Sequence, residues 1–180
     1  MNNRIGEEHP LCDIGQIFFL SVFIVVWILD SFLLHWSVFF LGQINLLIRS
    51  LLALSCIVTG IYFEKGSKEV LLNRSDSESR IIDFGVFSIV RHPTYLGVLL
   101  LLLGLFFWSF SLISLVIWVC FFFFYDRMAT YEENDLIEKY NNEYKIYKKS
   151  VRKWIPSMRK RLACVSWSKE NESSEFSFWQ

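Results

Sequence analysis

Three long stretches of the sequence are almost free of charged residues, and this feature constrains the fold most. Residues 14–36 contain one charged residue, Asp30, and residues 44–63 contain one, Arg49. Residues 96–125 contain none. A run of about 18 or more apolar residues is typical of a membrane span. The pattern therefore predicts an integral membrane protein and argues against a soluble globular domain.

Composition narrows the function classes further. The 18 Lys and Arg residues balance 18 Asp and Glu residues, so the formal net charge is zero although 53% of the chain is hydrophobic. A neutral chain gives no reason to expect a nucleic-acid partner. The four cysteines form no Cys-x-x-Cys pair, and no histidine lies at ligand spacing from them. Neither a disulfide framework nor a metal site is expected.

The 30 uncharged residues at 96–125 are too many for one span. As a single helix they would be about 45 Å long, whereas the hydrocarbon core of a bilayer is about 30 Å thick. The Ser109-Phe110-Ser111 sequence in the middle indicates a turn between two helices. The predicted fold is therefore an all-α polytopic membrane protein with about four transmembrane helices, the last two forming a hairpin. The spans are expected at about 14–36, 44–63, 93–108 and 112–131.

The polar segments set the predicted topology. Residues 64–83 mix charges with turn-forming residues and are expected to be a loop. Nine of the 18 basic residues lie between residues 139 and 161. Four spans place this basic region, the loop and both termini on one side, which the positive-inside rule assigns to the cytoplasm. The first span lacks a basic flank and a cleavage site, so we expect it to be retained. Residues 168–180 are rich in Ser and Glu and are expected to be a disordered tail.

Asp30 and Arg49 are charges inside predicted spans. Each lies about six residues from the end of its span at the shared turn near Gly42, so the two sit at similar depth. A charge within a span is a candidate functional residue. A structural ion pair near the outer interface explains this pair better.

The sequence Arg91-His92-Pro93 has the clearest chemical content. Proline is tolerated in the first turn of a helix, where its missing N–H costs nothing. Arg91 and His92 then lie just before the helix, at the cytoplasmic interface. A guanidinium, an imidazole and helix-start N–H groups together suit an anionic group such as a carboxylate. Taken alone, the triplet fits ordinary interfacial anchors equally well.

A second polar element is Glu132-Glu133, near the cytoplasmic end of the last apolar helix. The predicted hairpin returns this pair to the depth of Arg91 and His92, where the carboxylates could accept hydrogen bonds from an ammonium or a ribose. A solvated helix face is the simpler explanation for two adjacent glutamates. Beyond them, tyrosines at helical spacing and several lysines predict an amphipathic basic helix on the membrane surface.

The order of these motifs resembles the membrane-embedded methyltransferases, namely the isoprenylcysteine carboxyl methyltransferases and the phospholipid N-methyltransferases. The resemblance covers residues 85–156. It is carried by Gly-x-Phe-x-x-x-Arg-His-Pro-x-Tyr-x-Gly starting at Gly85, then an apolar hairpin, Glu132-Glu133, a Tyr-x-x-Tyr pair and the closing Pro156.

This resemblance implies a membrane methyltransferase domain over residues 1–167, with the catalytic region at 85–156 and S-adenosylmethionine as cofactor. It implies no metal, and a lipid or lipidated substrate that enters from the bilayer. The catalytic residues implied are Arg91 and Glu133. The cofactor would contact His92, Pro93, Tyr95, Gly97, Glu132, Glu133, Tyr144 and Tyr147.

The acceptor remains open between two classes. An isoprenylcysteine carboxylate needs no general base and is slightly favoured, with Arg91 orienting a carboxylate. A phosphatidylethanolamine-type amine requires a base, for which Glu133 or His92 is available. Outside these classes, an NADPH-dependent sterol-reductase-like enzyme and a non-enzymatic four-span protein remain alternatives. The expected location is the endoplasmic reticulum or a prokaryotic inner membrane, with both termini cytoplasmic.

Overall fold

The computed structural model describes residues 10–38, 44–73 and 81–156, and within these ranges all regular structure is helical. A π-helical turn, Leu29–Leu34, continues the first helix, and a 3-10 turn, Gly85–Ser88, precedes the third. The predicted all-α membrane fold is confirmed. The helices are α1 Pro10–Ile28, α2 Leu46–Leu72, α3 Pro93–Ser109, α4 Leu112–Tyr140 and α5 Asn142–Ser150.

Three helical segments are long and apolar enough to cross a membrane: Gly15–Leu34, α2 and α4. Helix α3 is also apolar but has 17 residues, the lower limit for a span. Large apolar side chains point outward along α1 and α2, as shown by Ile17, which is 64% exposed, and Leu47, which is 65% exposed. Such continuous exposed apolar surface indicates contact with lipid.

Helices α3 and α4 form the predicted hairpin. Phe110 ends α3 in the left-handed conformation (φ 49°), a common way for a helix to stop. Ser111 then caps α4, because its hydroxyl accepts a hydrogen bond from the backbone N–H of Ser114 at 3.2 Å. The 29 residues of α4 extend about 44 Å, so its C-terminal part projects beyond the bilayer core.

The loop predicted for residues 64–83 is wrong in its first half, because α2 remains helical to Leu72. Glu64 and Lys68 are one turn apart and form an ion pair at 2.6 Å, which favours helix. The buried Ser67 hydroxyl lies 2.5 Å from that of Thr94 in α3. The charges in this segment belong to a helix that is anchored to α3.

The helices pack in the spatial order α1, α4, α3 and α2, each against the next. Glycines allow the closest approach, between α2 and α3. A Cβ at Gly60 would lie 2.8 Å from the carbonyl of Gly97, and one at Gly104 would lie 3.1 Å from the carbonyl of Ala53. Small residues at such crossings let helix backbones approach in membranes.

Aromatic side chains dominate the core that joins α1, α3 and α4. The ring of Tyr125 stacks on that of Tyr95 at 4.6 Å and contacts that of Phe121 at 4.4 Å. Offset aromatic pairs at these distances add to the stability gained from burial. The buried members of this core are Phe23, Tyr95, Leu99, Leu102, Phe121, Tyr125, Met128 and Ala129.

The ion pair expected between Asp30 and Arg49 does not form. The buried Asp30 carboxylate accepts hydrogen bonds from the N–H of Ser37 at 3.1 Å, from the hydroxyl of Ser37, and from that of Ser111 at 2.5 Å. The Arg49 guanidinium donates to the carbonyl of Trp108. That carbonyl lies in the last turn of α3, where backbone acceptors lack helical partners. Arg49 is therefore satisfied at the end of α3, and Asp30 is satisfied by Ser37 and by Ser111 at the start of α4.

Helix α5 is amphipathic, as predicted for the C-terminal region. Tyr144 and Tyr147 are buried, while Lys148 and Lys149 lie in its last turn. The tail predicted for residues 168–180 lies outside the described residues.

Candidate active site

The start of α3 fixes the first half of the site. Pro93 occupies the first turn and is buried, so Arg91 and His92 immediately precede the helix. The backbone N–H of Arg91 donates to the carbonyl of Arg152 at 3.1 Å. The segment that follows α5 therefore returns to hold the residues that precede α3.

Glu133 is the electrostatic centre of the site. Its side chain is 4% exposed, and Oε1 lies 3.2 Å from Arg91 Nη2 and 3.2 Å from His92 Nε2. Its Oε2 lies 2.8 Å from Lys148 Nζ. A buried carboxylate is costly unless it is paired and hydrogen-bonded. Glu133 meets this requirement by joining the start of α3, α4 and α5.

Glu132 has a different environment. Its side chain is 40% exposed, and its Oε2 lies 3.5 Å from Nδ1 of His92. The hydroxyl of Tyr95 donates a hydrogen bond to Oε1. Glu132 is therefore the more accessible of the two adjacent carboxylates.

The His92 ring is buried between the two glutamates and stacks against Tyr95, with ring centroids 5.8 Å apart and planes at 9°. Burial opposes the charged imidazolium, but hydrogen bonds to Glu132 and Glu133 and the charges of these carboxylates outweigh it and raise the pKa of His92. The protonated form, in which both ring nitrogens donate, is therefore favoured.

A partly open cavity of about 150 Å³ lies beside these residues. Ligand pockets usually measure about 300–1,000 Å³, so a cofactor of ordinary size would extend through the open side. The lining residues are Ile81, Ile82, Phe87, Arg91, His92, Glu132, Leu136, Tyr140, Tyr144 and Tyr147.

Two tyrosines of α5 close the cavity on one side. The hydroxyl of Tyr147 donates to the carbonyl of Phe87 at 2.7 Å, which ties α5 to the turn before α3. Burial raises the pKa of both Tyr144 and Tyr147. Both phenols therefore remain neutral hydrogen-bonding groups.

The polar groups of the cavity fit S-adenosylmethionine. Arg91 supplies a guanidinium whose buried Nε has no hydrogen-bond partner among the described residues, and such an orphan donor suits a carboxylate. Glu132 supplies an acceptor for an ammonium or ribose hydroxyls. Phe87, Leu136 and the isoleucines supply apolar surface for a base.

The predicted site residues fall into two groups. Five of them line the cavity: Arg91, His92, Glu132, Tyr144 and Tyr147. The others lie outside the lining. Glu133 pairs with the lining residues Arg91 and His92, and Tyr95 donates a hydrogen bond to the lining residue Glu132. Gly97 faces α2 instead, because a Cβ there would lie 3.0 Å from the carbonyl of Gly60, and Pro93 is the buried first residue of α3.

Sequence reasoning missed Lys148 and the apolar lining. Lys148 follows Tyr144 by one helical turn, so the spacing that pointed to the tyrosines also places this lysine near their face. Leu136 follows Glu132 by one turn in the same way. No sequence pattern marked Ile81 or Ile82, and Phe87 belonged to the motif that starts at Gly85 but was given no role in the site. Across the described ranges, no group of three or more His, Cys, Asp or Glu side chains could hold a metal ion.

A family model for phospholipid methyltransferases matches residues 38–143. No curated protein and no solved structure matches the chain. The matched range covers more than half of the 180 residues and includes Arg91, His92, Glu132 and Glu133. The resemblance found in the sequence is confirmed, and the chain belongs to the phospholipid methyltransferase family of integral membrane proteins.

Proposed function

We propose that this protein transfers the methyl group of S-adenosylmethionine to a lipid-borne acceptor at the membrane interface. Family membership supports methyl transfer over the sterol-reductase-like and non-enzymatic alternatives. The observation that carries the proposal is the contrast between two adjacent carboxylates beside one cavity. Glu133 is buried and paired with three basic side chains, whereas Glu132 is half-exposed and lines the cavity.

The cofactor supplies an electrophilic methyl group on a sulfonium. Arg91 would bind its carboxylate, Glu132 or its neighbours would accept hydrogen bonds from its polar groups, and the tyrosines of α5 would exclude water from the cavity. Glu133 keeps Arg91 and His92 in place. Transfer of this kind depends largely on alignment and desolvation of the reacting atoms.

For the acceptor, the geometry best supports an amine such as that of phosphatidylethanolamine. Glu133 is enclosed by Arg91, His92 and Lys148, whereas Glu132 contacts His92 and Tyr95 and keeps a half-exposed carboxylate at the cavity. A carboxylate favours an ammonium headgroup. Glu132 would take the proton of the ammonium, and the nitrogen would then use the freed lone pair to accept the methyl group that the sulfonium would release. This assigns to Glu132 the basic role that the sequence offered to Glu133 or His92.

The second candidate acceptor is the isoprenylcysteine carboxylate, which the sequence slightly favoured. The observation in its favour is the unpartnered Nε of Arg91, which could orient an acceptor carboxylate instead of that of the cofactor. This acceptor is already a nucleophile and needs no base. The two candidates therefore differ in their dependence on Glu132.

The assay uses purified protein in detergent, methyl-labelled S-adenosylmethionine, and either phosphatidylethanolamine or a farnesyl-cysteine analogue. We expect label in the phospholipid. Glu132→Gln should lower kcat for the amine by about 100-fold, as for loss of a general base. Glu138→Gln changes an exposed glutamate of the same helix and serves as the matched control.

The outcomes separate the candidates. Label in farnesyl-cysteine that persists in Glu132→Gln would instead support carboxylate methylation. If folded wild-type protein binds no S-adenosylmethionine, methyl transfer is wrong, and binding of NADPH in the same titration would support the reductase alternative.

We further propose that the site faces the cytoplasm, as the positive-inside rule indicates. Cysteines introduced at Lys68 and Glu138, both exposed and near the cytoplasmic ends of α2 and α4, should react with an impermeant maleimide only when the cytoplasmic face is accessible. Labelling of intact cells from outside would reverse the orientation.

A further inference from the structure

We propose that Asp126 is a positioning residue that fixes residues 151–156, here called the strap, over the cofactor site. The proposal rests on the proposed function, because the strap is inferred to tune cofactor binding. Asp126 touches neither the cavity lining nor Glu133 directly; it acts through Lys153 and Trp154.

The side chain of Asp126 accepts hydrogen bonds from two consecutive residues of the strap, Lys153 and Trp154. Its Oδ1 lies 2.6 Å from Lys153 Nζ and accepts from the indole Nε1 of Trp154 at 2.9 Å. Lys153 also donates to the backbone carbonyl of Asp126 at 2.8 Å and to the hydroxyl of Thr130 at 2.9 Å. Four directed contacts are more than an isolated surface ion pair provides, so they define one position for the strap.

The other side of the strap touches the site. The ring centroid of Trp154 lies 6.2 Å from that of His92 and 5.5 Å from that of Phe122. The carbonyl of Arg152 accepts from the backbone N–H of Arg91 at 3.1 Å. The strap therefore contacts both residues that precede α3, on the ring of one and the backbone of the other.

Two ion pairs hold this part of the chain along α4. Asp126 precedes Glu133 by seven residues, about two turns, so the two carboxylates share a face of the helix. Glu133 pairs with Lys148 of α5, and Asp126 pairs with Lys153 of the strap. If the Asp126 anchor is removed, the Lys148 pair still holds α5. The loosened part is then the strap beside Arg91 and His92, which should weaken cofactor binding more than folding.

The test measures the KM for S-adenosylmethionine, kcat and the Tm of full-length protein in detergent. Asp126→Ala and Lys153→Met should raise the KM about 10-fold, with kcat within about twofold. Their Tm should stay within about 3 °C of wild type. Lys153→Arg keeps the charge and should restore the KM, and Trp154→Phe, which removes only the indole donor, should show a smaller rise.

The matched control is Lys68→Met, which breaks the 2.6 Å ion pair with Glu64 on α2, outside the cavity lining and the strap, and should leave the KM unchanged. If wild type binds the cofactor and the Asp126 and Lys153 variants keep its KM, the positioning role is wrong although the proposed function stands. A lower Tm or kcat with an unchanged KM would also overturn it, because that pattern marks a purely structural contact. Failure of wild type to bind the cofactor would instead count against the proposed function.

Discussion

Glu132 and Glu133 are neighbours in the chain but differ in exposure by a factor of ten: the side chain of Glu132 is 40% exposed and that of Glu133 is 4% exposed. Both contact His92, one at each ring nitrogen. The imidazole therefore joins a buried, neutralised carboxylate to an accessible one. This division separates the residue that holds the site together from the residue available for chemistry.

The first prediction is a difference in stability between the two glutamates. Glu133→Ala leaves the buried Arg91 without its carboxylate partner and His92 with Glu132 alone, and should lower the free energy of unfolding by about 3–5 kcal/mol. Glu132→Ala should lower it by no more than about 1 kcal/mol. Unfolding followed by circular dichroism in one detergent measures both. Equal losses would show that Glu133 does not organise the site.

The second prediction concerns pH. The pKa of His92 is raised in the folded state. The stability that its pairing with the glutamates contributes is therefore fully present below the unfolded-state pKa of about 6.5, and it is lost as the pH rises through the folded-state pKa. The destabilisation caused by His92→Gln should therefore be larger at about pH 6 than at about pH 9. His35→Gln, at an exposed histidine outside the site, is the control. A cost that grows with pH would contradict the pairing.

A third prediction follows from the contact of Gly97 with α2. A methyl group there would lie 3.0 Å from both the amide nitrogen of Glu64 and the carbonyl of Gly60, and backbone cannot yield as a side chain can. Gly97→Ala should cost about 1–3 kcal/mol and leave the cofactor KM of the folded fraction unchanged. Gly15→Ala meets only the ring of Phe124 and should be nearly neutral. A raised KM at wild-type stability would return Gly97 to the cofactor site.

The fourth prediction tests the opposite end of the bundle. Asp30→Ala leaves the hydroxyls of Ser37 and Ser111 without their acceptor and should cost about 1–3 kcal/mol. Asp30→Asn retains one acceptor oxygen and should cost less. Cofactor affinity should be unchanged in both, because Ser111 and Glu133 are separated by about 33 Å of helix. Thermal unfolding and cofactor titration of the same samples measure the two quantities, and a loss of affinity would reveal coupling across the membrane.

Local rules predicted the parts of the site that lie at helix ends. Pro93 marks the start of α3, and the turn at Phe110 returns α4 alongside it, so the meeting of His92 with Glu133 could be predicted from the sequence. The partners of Asp30 and Arg49 could not. Their equal depth places the two charges near one membrane plane. Whether they contact each other or other groups depends on how each helix is rotated about its axis, and the local sequence does not encode that rotation.

The extension of α2 was missed for a related reason. A segment that contains turn-favouring residues is helical when a buried contact, such as that of Ser67 with Thr94, stabilises the helix. Lys148 and the strap were missed because both depend on how a short segment folds back over α4. Contacts between segments distant in the chain decide such details.

The 17 residues of α3 span about 26 Å, less than the roughly 30 Å hydrophobic thickness of an average bilayer. If its outer end stays level with its neighbours, His92 lies several ångströms below the surrounding headgroups. In a thin bilayer the headgroups lie closer to the depth of His92. The headgroup of a phospholipid beside α3 would then move only a short distance along the membrane normal to reach the site. The turnover rate should therefore depend on membrane thickness, with shorter acyl chains favouring the reaction and thick, sterol-rich bilayers slowing it.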